Sequence, residues 1–154
     1  MKKIKIVFVC LGNYCRSPMA EAILNTMVEQ DGLNAQFDIS SAGTENWDVG
    51  LPPDHRSAKL LVEHNYQLDP AKRAKLISAN EIQDADYLVA MTTRIVKALG
   101  NHDNVYLLMD FLNNPVSRDI PDPYPTDTFP QAFRMIEKGV RAFYSFLKDK
   151  YSLP

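Results

Sequence analysis

The sequence predicts a single-domain α/β fold: an open, twisted, mostly parallel sheet of about four strands with helices on both faces. Three observations predict it. Strand-like and helix-like segments alternate along the chain, as in βαβ units. The first strand candidate is almost wholly apolar and β-branched, as a strand covered on both sides must be. Finally, 154 residues with no repeat, low-complexity tract or Gly/Ser linker suit one domain, residues 1–154.

Ile4-Lys5-Ile6-Val7-Phe8-Val9 is that first strand, ending at Cys10. Ser17-Pro18 then opens a helix, with Ser as N-cap and Pro at the first helical position. Ala20, Ile23, Leu24, Met27 and Val28 form its apolar stripe, and Asp31-Gly32 stops it. Phe37–Ser41 completes a strand–loop–helix–strand unit. After Pro52-Pro53-Asp54 comes a helix with Ala58, Leu61 and Val62 on one face. Asp86–Met91 and Val105–Leu108 are the third and fourth strands, followed by a long Pro- and Asp-rich loop from Met109 to Thr128. Loops of that length in a compact domain are usually functional or disordered. Thr128-x-x-Gln131 has the spacing of a capping box, and opens a final helix with Ala132, Met135, Ile136, Val140, Phe143, Phe146 and Leu147 facing inward.

Composition narrows the function. Lys plus Arg is 17 against 19 Asp plus Glu, a net charge of −2, so no basic excess exists to hold a nucleic acid. The apolar run Ile6–Leu11 is far shorter than the roughly 20 residues of a membrane span, and no membrane role is expected. The basic start Met1–Lys5 runs into six apolar residues and then polar Gly12-Asn13, which does not suit a secretory leader, so the expected compartment is the cytoplasm. Only two cysteines occur, Cys10 and Cys15. They cannot make a disulfide scaffold, and His55, His64 and His102 lack the paired spacing that would complete a zinc site. No metal or organic cofactor is expected.

In open α/β sheets the ligand site lies beyond the carboxyl ends of the strands, and the first strand ends at Cys10. The loop Cys10-Leu11-Gly12-Asn13-Tyr14-Cys15-Arg16-Ser17-Pro18 therefore carries the chemistry. A loop this short, wrapping from strand end to helix start, turns its backbone N–H groups inward to make a nest for a tetrahedral oxyanion. Gly12 and Asn13 tolerate the positive φ angles such wrapping needs. Arg16 can clamp two oxygens with its planar fork. The same positive field favours the thiolate of Cys10, and the Ser17 hydroxyl can donate to that sulfur. A nucleophile at the floor of a phosphate-binding loop points to covalent phosphoryl transfer. Taken singly, Cys10 reads more readily as a small core thiol than as a nucleophile, since free Cys is among the most buried residues; the whole string is what is specific.

That string, extended through Met19-Ala20-Glu21-Ala22, resembles the active-site signature of the low-molecular-weight protein tyrosine phosphatases. Ser40-Ser41-Ala42-Gly43-Thr44, Trp47-x-x-Gly50-x-Pro52 and Asp122-Pro123-Tyr124 resemble later family segments, so that the likeness runs over essentially the full chain. It implies hydrolysis of phosphotyrosine through a phosphocysteine on Cys10, with Arg16 as phosphate clamp. Asp122 would be the general acid and then base; Asp119 and Asp127 are rivals outside the Asp-Pro-Tyr context. The resemblance further implies that Asn13 braces the loop to Ser41, that Glu21 and His64 belong to a polar network behind it, and that Trp47 and Tyr124 wall an aromatic slot. A slot of that kind favours phosphotyrosine over shorter phosphoserine. It also implies tyrosine-phosphorylated proteins as substrates, inhibition by phosphate or vanadate, and a reversible Cys10–Cys15 disulfide that protects the nucleophile. Exposed Trp47 and Tyr124 are the candidate contacts of a weak homodimer.

Several positions depart from the family pattern. Tyr14 is bulkier than the usual aliphatic residue and narrows the mouth. Pro125 follows Tyr124 where relatives carry a second aromatic or Gly. Leu68–Ala74 replaces a His- and Arg-containing run, and Thr92 stands where an Asp is common, so parts of the supporting network are missing or rebuilt. Two rival functions stay open: arsenate reduction, disfavoured because no Cys follows Cys15, and a phosphate-binding module without turnover, disfavoured by the presence of Asp122.

Overall fold

In the computed structural model, which describes residues 2–154, strand β1 (Ile4–Cys10) lies inside the sheet between β2 (Phe37–Gly43) and β3 (Tyr87–Ala90). The fourth strand, β4 (Val105–Leu107), pairs with β3 at the edge, giving the order β2-β1-β3-β4 with every pairing parallel. The neighbours of β1 therefore reverse direction of winding at its own carboxyl end, where an open α/β sheet leaves its crevice. The expected fold class is the observed one. The Met1 end of the expected domain lies outside the described residues.

Strand periodicity divides the core in two. Ile6, Phe8 and Cys10 of β1 face the cluster built with α1 (Arg16–Gln30) and α5 (Phe129–Lys150), whereas Val7 and Val9 face a smaller cluster with Ile95 and Leu99 of α4 (Thr93–Leu99). Both faces of the strand are dry, which explains its unbroken apolar sequence. On the larger side Phe143 packs edge-on against Phe8 at 6.1 Å and against Tyr87 at 5.6 Å. Each such fully buried aromatic stabilises the fold by about 1.5–3 kcal/mol.

Helix α1 stops as expected, and for a definable reason. Gly32 adopts φ +71°, its N–H donates to Glu29 O, and Leu33 N–H donates to Val28 O at 2.8 Å, the two bonds of a Schellman motif. The start of α1 differs. The helix begins at Arg16 after Cys15, and Ser17 makes no capping bond; its hydroxyl is spent on the neighbouring loop instead. Thr128 does precede α5, but its hydroxyl pairs with Thr126 Oγ1 at 2.8 Å rather than with the helix, so no capping box forms there.

In α2 (His55–Glu63), capped by Asp54, Ser57 and Leu61 are the buried residues while Val62 is 69% exposed. The inward face is thus rotated by one residue from the expected one, toward the small Ser57, whose hydroxyl donates to Cys15 O. Phe146 of α5 is only partly covered, at 37% exposed with its ring against Phe111 and Tyr87, and Phe133, absent from the expected stripe, is buried. Two short helices, α3 (Ala79–Asp84) and α4, escaped the periodicity: with six and seven residues they are too short to display a stripe. The signal that could have found them lies in their caps: Ser78 and Glu81 form a reciprocal capping box and Thr92 caps α4. Thr92 therefore has a structural use of its own.

Candidate active site

The residues between β1 and α1 close into a cup. The carbonyls of Cys10, Leu11, Tyr14 and Cys15 accept outward bonds from Thr44 N, Glu45 N, Asp54 N and Ser57 Oγ. Because a trans peptide points its C=O and the next N–H in opposite directions, the following amides turn toward the hollow. Asn13 makes the turn at φ +55°. Gly43, at the end of β2, lies directly beneath: a Cβ there would sit 2.5 Å from Leu11 O and 2.9 Å from Gly12 C, so only glycine leaves the loop its position.

Behind the cup runs a chain of side-chain hydrogen bonds whose directions are fixed by counting protons. Asn13 Oδ1 accepts from Lys75 N (3.1 Å), which orients its amide. The two Nδ2 protons then go to Ser17 Oγ (2.8 Å) and Ser41 Oγ (2.9 Å). Ser41 gives its own proton to Glu21 Oε1 (2.6 Å). Ser17, already accepting from Asn13, keeps its proton for Cys10 Sγ at 3.0 Å. The sulfur is the other polar atom within reach of that hydroxyl, so its proton is available to Cys10 Sγ. Asn13, Ser17 and Ser41 are all essentially sealed from solvent, and no buried side-chain polar atom among the described residues lacks a partner.

Lys72 completes this chain, and sequence reasoning did not find it. Its Nζ lies 3.3 Å from Glu21 Oε1 and donates to Ser41 O at 3.0 Å, with the side chain only 9% exposed. The 68–74 segment thus supplies the network with a largely buried ammonium. His64 was expected there and is not. It is an exposed residue at the end of α2, stacked on Phe133 at 4.5 Å, on a different cleft lined by Tyr66, Arg141 and Tyr144. Residue type and approximate position suggested His64; the path of the chain after α2 carries it away from the loop.

The hollow over the cup encloses about 270 Å³ and is lined by Cys10, Leu11, Gly12, Tyr14, Cys15, Arg16, Trp47, Asp48, Asp122 and Tyr124. Residues from three separate stretches of sequence therefore meet. Arg16 is 4% exposed, and its Nη1 donates to Ile120 O at 2.8 Å; Ile120 N in turn donates to Met91 O. This tie attaches the base of the Asp122 loop both to the guanidinium and to the sheet. One Asp122 oxygen accepts from Tyr124 N at 3.0 Å, a local turn that the Asp-Pro-Tyr sequence favours. The rival carboxylates are committed elsewhere: Asp119 to Thr93 N (2.7 Å), Asp127 to Arg56 (3.1 Å). Asp48, which the sequence did not single out, lines the cleft beside Gly12, where any Cβ would strike its carboxylate.

Aromatic rings form the mouth. Tyr14 and Tyr124 stand 6.3 Å apart and tilted at 59°, with Trp47 and Tyr124 both well exposed at 68% and 56%. Tyr14 is thus a further wall, and burial, followed by the nearby Asp54 carboxylate, pushes its hydroxyl up from the usual tyrosine range. Cys15 is buried and free, as is Cys10. Burial, together with Asp54 and Asp122, drives the Cys15 thiol well above its ordinary value, so it stays protonated. Among the described residues no cluster of His, Cys, Asp or Glu is arranged to hold a metal, and no helix is long and apolar enough to cross a membrane.

Comparison with known proteins agrees with this geometry. The profile of the low molecular weight phosphotyrosine protein phosphatase family matches residues 5–153. The low molecular weight protein-tyrosine-phosphatase YfkJ of Bacillus subtilis is 31% identical over 156 residues, covering 97% of this chain and 99% of its own. The crystal structure of YfkJ superposes with a TM-score of 0.93 over 97% of this chain and 98% of the other, at 30% identity. The phosphotyrosine phosphatase of Schizosaccharomyces pombe is 38% identical over 130 residues, 80% of this chain and 82% of its own. A Drosophila arginine phosphatase structure also matches, with a TM-score of 0.84 at 31% identity over 96% of this chain and 98% of the other.

Proposed function

Because the chain belongs to the low molecular weight phosphotyrosine protein phosphatase family, a family of hydrolases, we propose that it cleaves phosphotyrosine in two steps carried by Cys10, Arg16 and Asp122. In the first step the Cys10 thiolate attacks phosphorus in line. The S–P bond forms, the P–O bond to the phenol breaks, and Asp122 gives its proton to the departing oxygen. In the second, water attacks the phosphocysteine, its proton passes to the Asp122 carboxylate, and the S–P bond breaks to return thiolate and release phosphate. Arg16 and the inward amides hold the equatorial oxygens throughout. No metal or organic cofactor enters either step.

One observation carries this reading: the Ser17 hydroxyl, whose oxygen accepts from Asn13, lies 3.0 Å from Cys10 Sγ with its own proton available to the sulfur. A sulfur held this way, in a hollow shared with Arg16 and Asp122, is equipped to attack and to leave. The aromatic mouth supports a flat aryl phosphate, whose ring can stack while its phosphate reaches the floor. The test is steady-state hydrolysis of phosphotyrosine and phosphoserine peptides by the wild-type protein. Phosphotyrosine is expected to be preferred by about 10²-fold or more in kcat/KM, since a shallow phosphoserine forfeits both stacking and reach. Inorganic phosphate and vanadate are expected to inhibit competitively. A phosphoarginine peptide belongs in the same series, because one structural neighbour is an arginine phosphatase. Phosphate binding without turnover would sink the enzymatic reading in favour of a binding module.

The two cysteines support a redox brake working in the cytoplasm. Oxidation of Cys10 to the sulfenic acid by peroxide, followed by attack of Cys15 Sγ with loss of water, would join them as a disulfide. Since burial keeps Cys15 as the thiol, capture is expected to be slow and to accelerate with rising pH. Mass spectrometry of the peptide spanning both residues reads it as loss of two hydrogens; a free Cys15 beside sulfinic Cys10 would refute it.

A further inference from the structure

Asp122 sits on an exposed turn, and what holds that turn over the cleft is not the local backbone alone. Residues 124–127 are all exposed, and the bonds within the segment are local: Tyr124 N to Asp122 at 3.0 Å, Thr128 N to Pro123 O at 3.2 Å and the Thr126–Thr128 hydroxyl pair at 2.8 Å. One end is fixed by Arg16 and Met91 through Ile120, as described. The other end meets a side chain from a different element, Arg56 at the start of α2.

Arg56 is built into the frame of the phosphate loop. Its backbone N–H, Nε and Nη2 all donate to the Asp54 carboxylate at 2.8–3.1 Å, and Asp54 N donates to Tyr14 O at 2.9 Å. Asp54 is 1% exposed; burial alone would push its carboxyl up, but the bonds from Arg56 overcome this and hold it below the usual carboxylate range. From that base the remaining nitrogen, Nη1, reaches Asp127 Oδ1 at 3.1 Å. The guanidinium plane also lies 4.2 Å from the centre of the Phe129 ring and 5.2 Å from that of Tyr124. An ion pair to an exposed Asp127 would by itself contribute little. Joined to contacts with two rings that flank the acid turn, and anchored on a buried carboxylate, it forms a cross-brace.

We propose that Arg56 is a positioning residue for the acid step, holding the Tyr124–Phe129 side of the turn so that Asp122 stays over the cup. The inference rests on the assignment of Asp122 as the general acid. Arg56 does not line the hollow, so losing it removes no group that touches the nucleophile or the phosphate. What suffers is delivery of the proton, and a misplaced acid harms poor leaving groups more than good ones.

The experiment compares kcat/KM for phenyl phosphate, a poor leaving group, with that for a nitrophenyl phosphate, whose phenolate needs little protonation. The proteins are wild type, Asp122→Asn, Arg56→Met and Asp127→Asn. Met keeps the packing on Phe129 without the forked donors, and Asn tolerates the φ of +54° at residue 127. A positioned acid is worth about 10²–10⁴-fold, so partial displacement in Arg56→Met is expected to cost about tenfold on phenyl phosphate and under about twofold on the nitrophenyl ester. Asp127→Asn is expected to shift the same ratio in the same direction by less, and carries the test should Arg56→Met fail to fold. A ratio equal to wild type in the folded variants, with Asp122→Asn showing the expected widening, overturns the brace. If Asp122→Asn itself shows no widening, the assignment beneath it fails and the brace fails with it.

Discussion

Replacing Cys10 by serine is expected to abolish turnover while leaving the fold and the oxyanion site standing. The substitution exchanges sulfur for a smaller oxygen at a position only 2% exposed, in the middle of a satisfied hydrogen-bond chain. The cost in stability is expected to be on the order of 1 kcal/mol, because the new hydroxyl still meets Ser17. Chemistry fares differently. Sulfur is the intrinsically stronger nucleophile; an alcohol needs a general base, and the neighbour of position 10 is the Ser17 hydroxyl, not a base. The expected loss is about 10⁴–10⁶-fold in kcat, the scale of removing a covalent nucleophile. Phosphate binding by calorimetry should stay within a few-fold of wild type, because Arg16 and the amides are untouched. Retention of full activity would rule out a phosphocysteine and return the choice to the rival functions.

Asp122→Asn is expected to have the next largest effect, about 10²–10³-fold in kcat/KM on phenyl phosphate. Asparagine keeps the oxygen that accepts from Tyr124 N, so the turn survives and only the transferable proton is lost. Asp48 supplies the control, since it is the other carboxylate on the cleft wall. Asp48→Asn is expected to change the response to leaving group by less than about threefold, having no place in the proton's path. Should the two variants exchange behaviours, Asp48 would be the acid. Asp119 and Asp127 are not serious rivals in space, as each is bonded away from the hollow.

Much of this site was legible because its parts lie close together in sequence. Residues 10–18 combine nucleophile, turn residues, clamp and helix start, and local geometry relates them almost without help from the rest of the chain. The strand before them was legible for a similar reason: both faces are covered, so apolarity is continuous. Errors appeared where one residue type serves two purposes. Ser17 has the look of an N-cap and Thr128 of a capping box, yet each hydroxyl bonds to a competing neighbour. His64 matched by type and fell on another face, while the ammonium of Lys72 took up the work.

The sequence by itself determined the four strands and the three longer helices in their order and the phosphate-loop string with Cys10 and Arg16, which are set by local periodicity and by contiguous residues. Its family resemblance pointed to Asp122 as the candidate acid. Tertiary structure alone decided that Lys72 backs Glu21, that Gly43 must lack a side chain beneath Leu11, that Ile120 O holds Arg16, and that Arg56 spans from Asp54 to Asp127. Each of these pairs residues that are far apart in the chain or that belong to different segments. Which of many chemically suitable partners is chosen depends on where the packed sheet and helices bring the backbone, and no local preference encodes that.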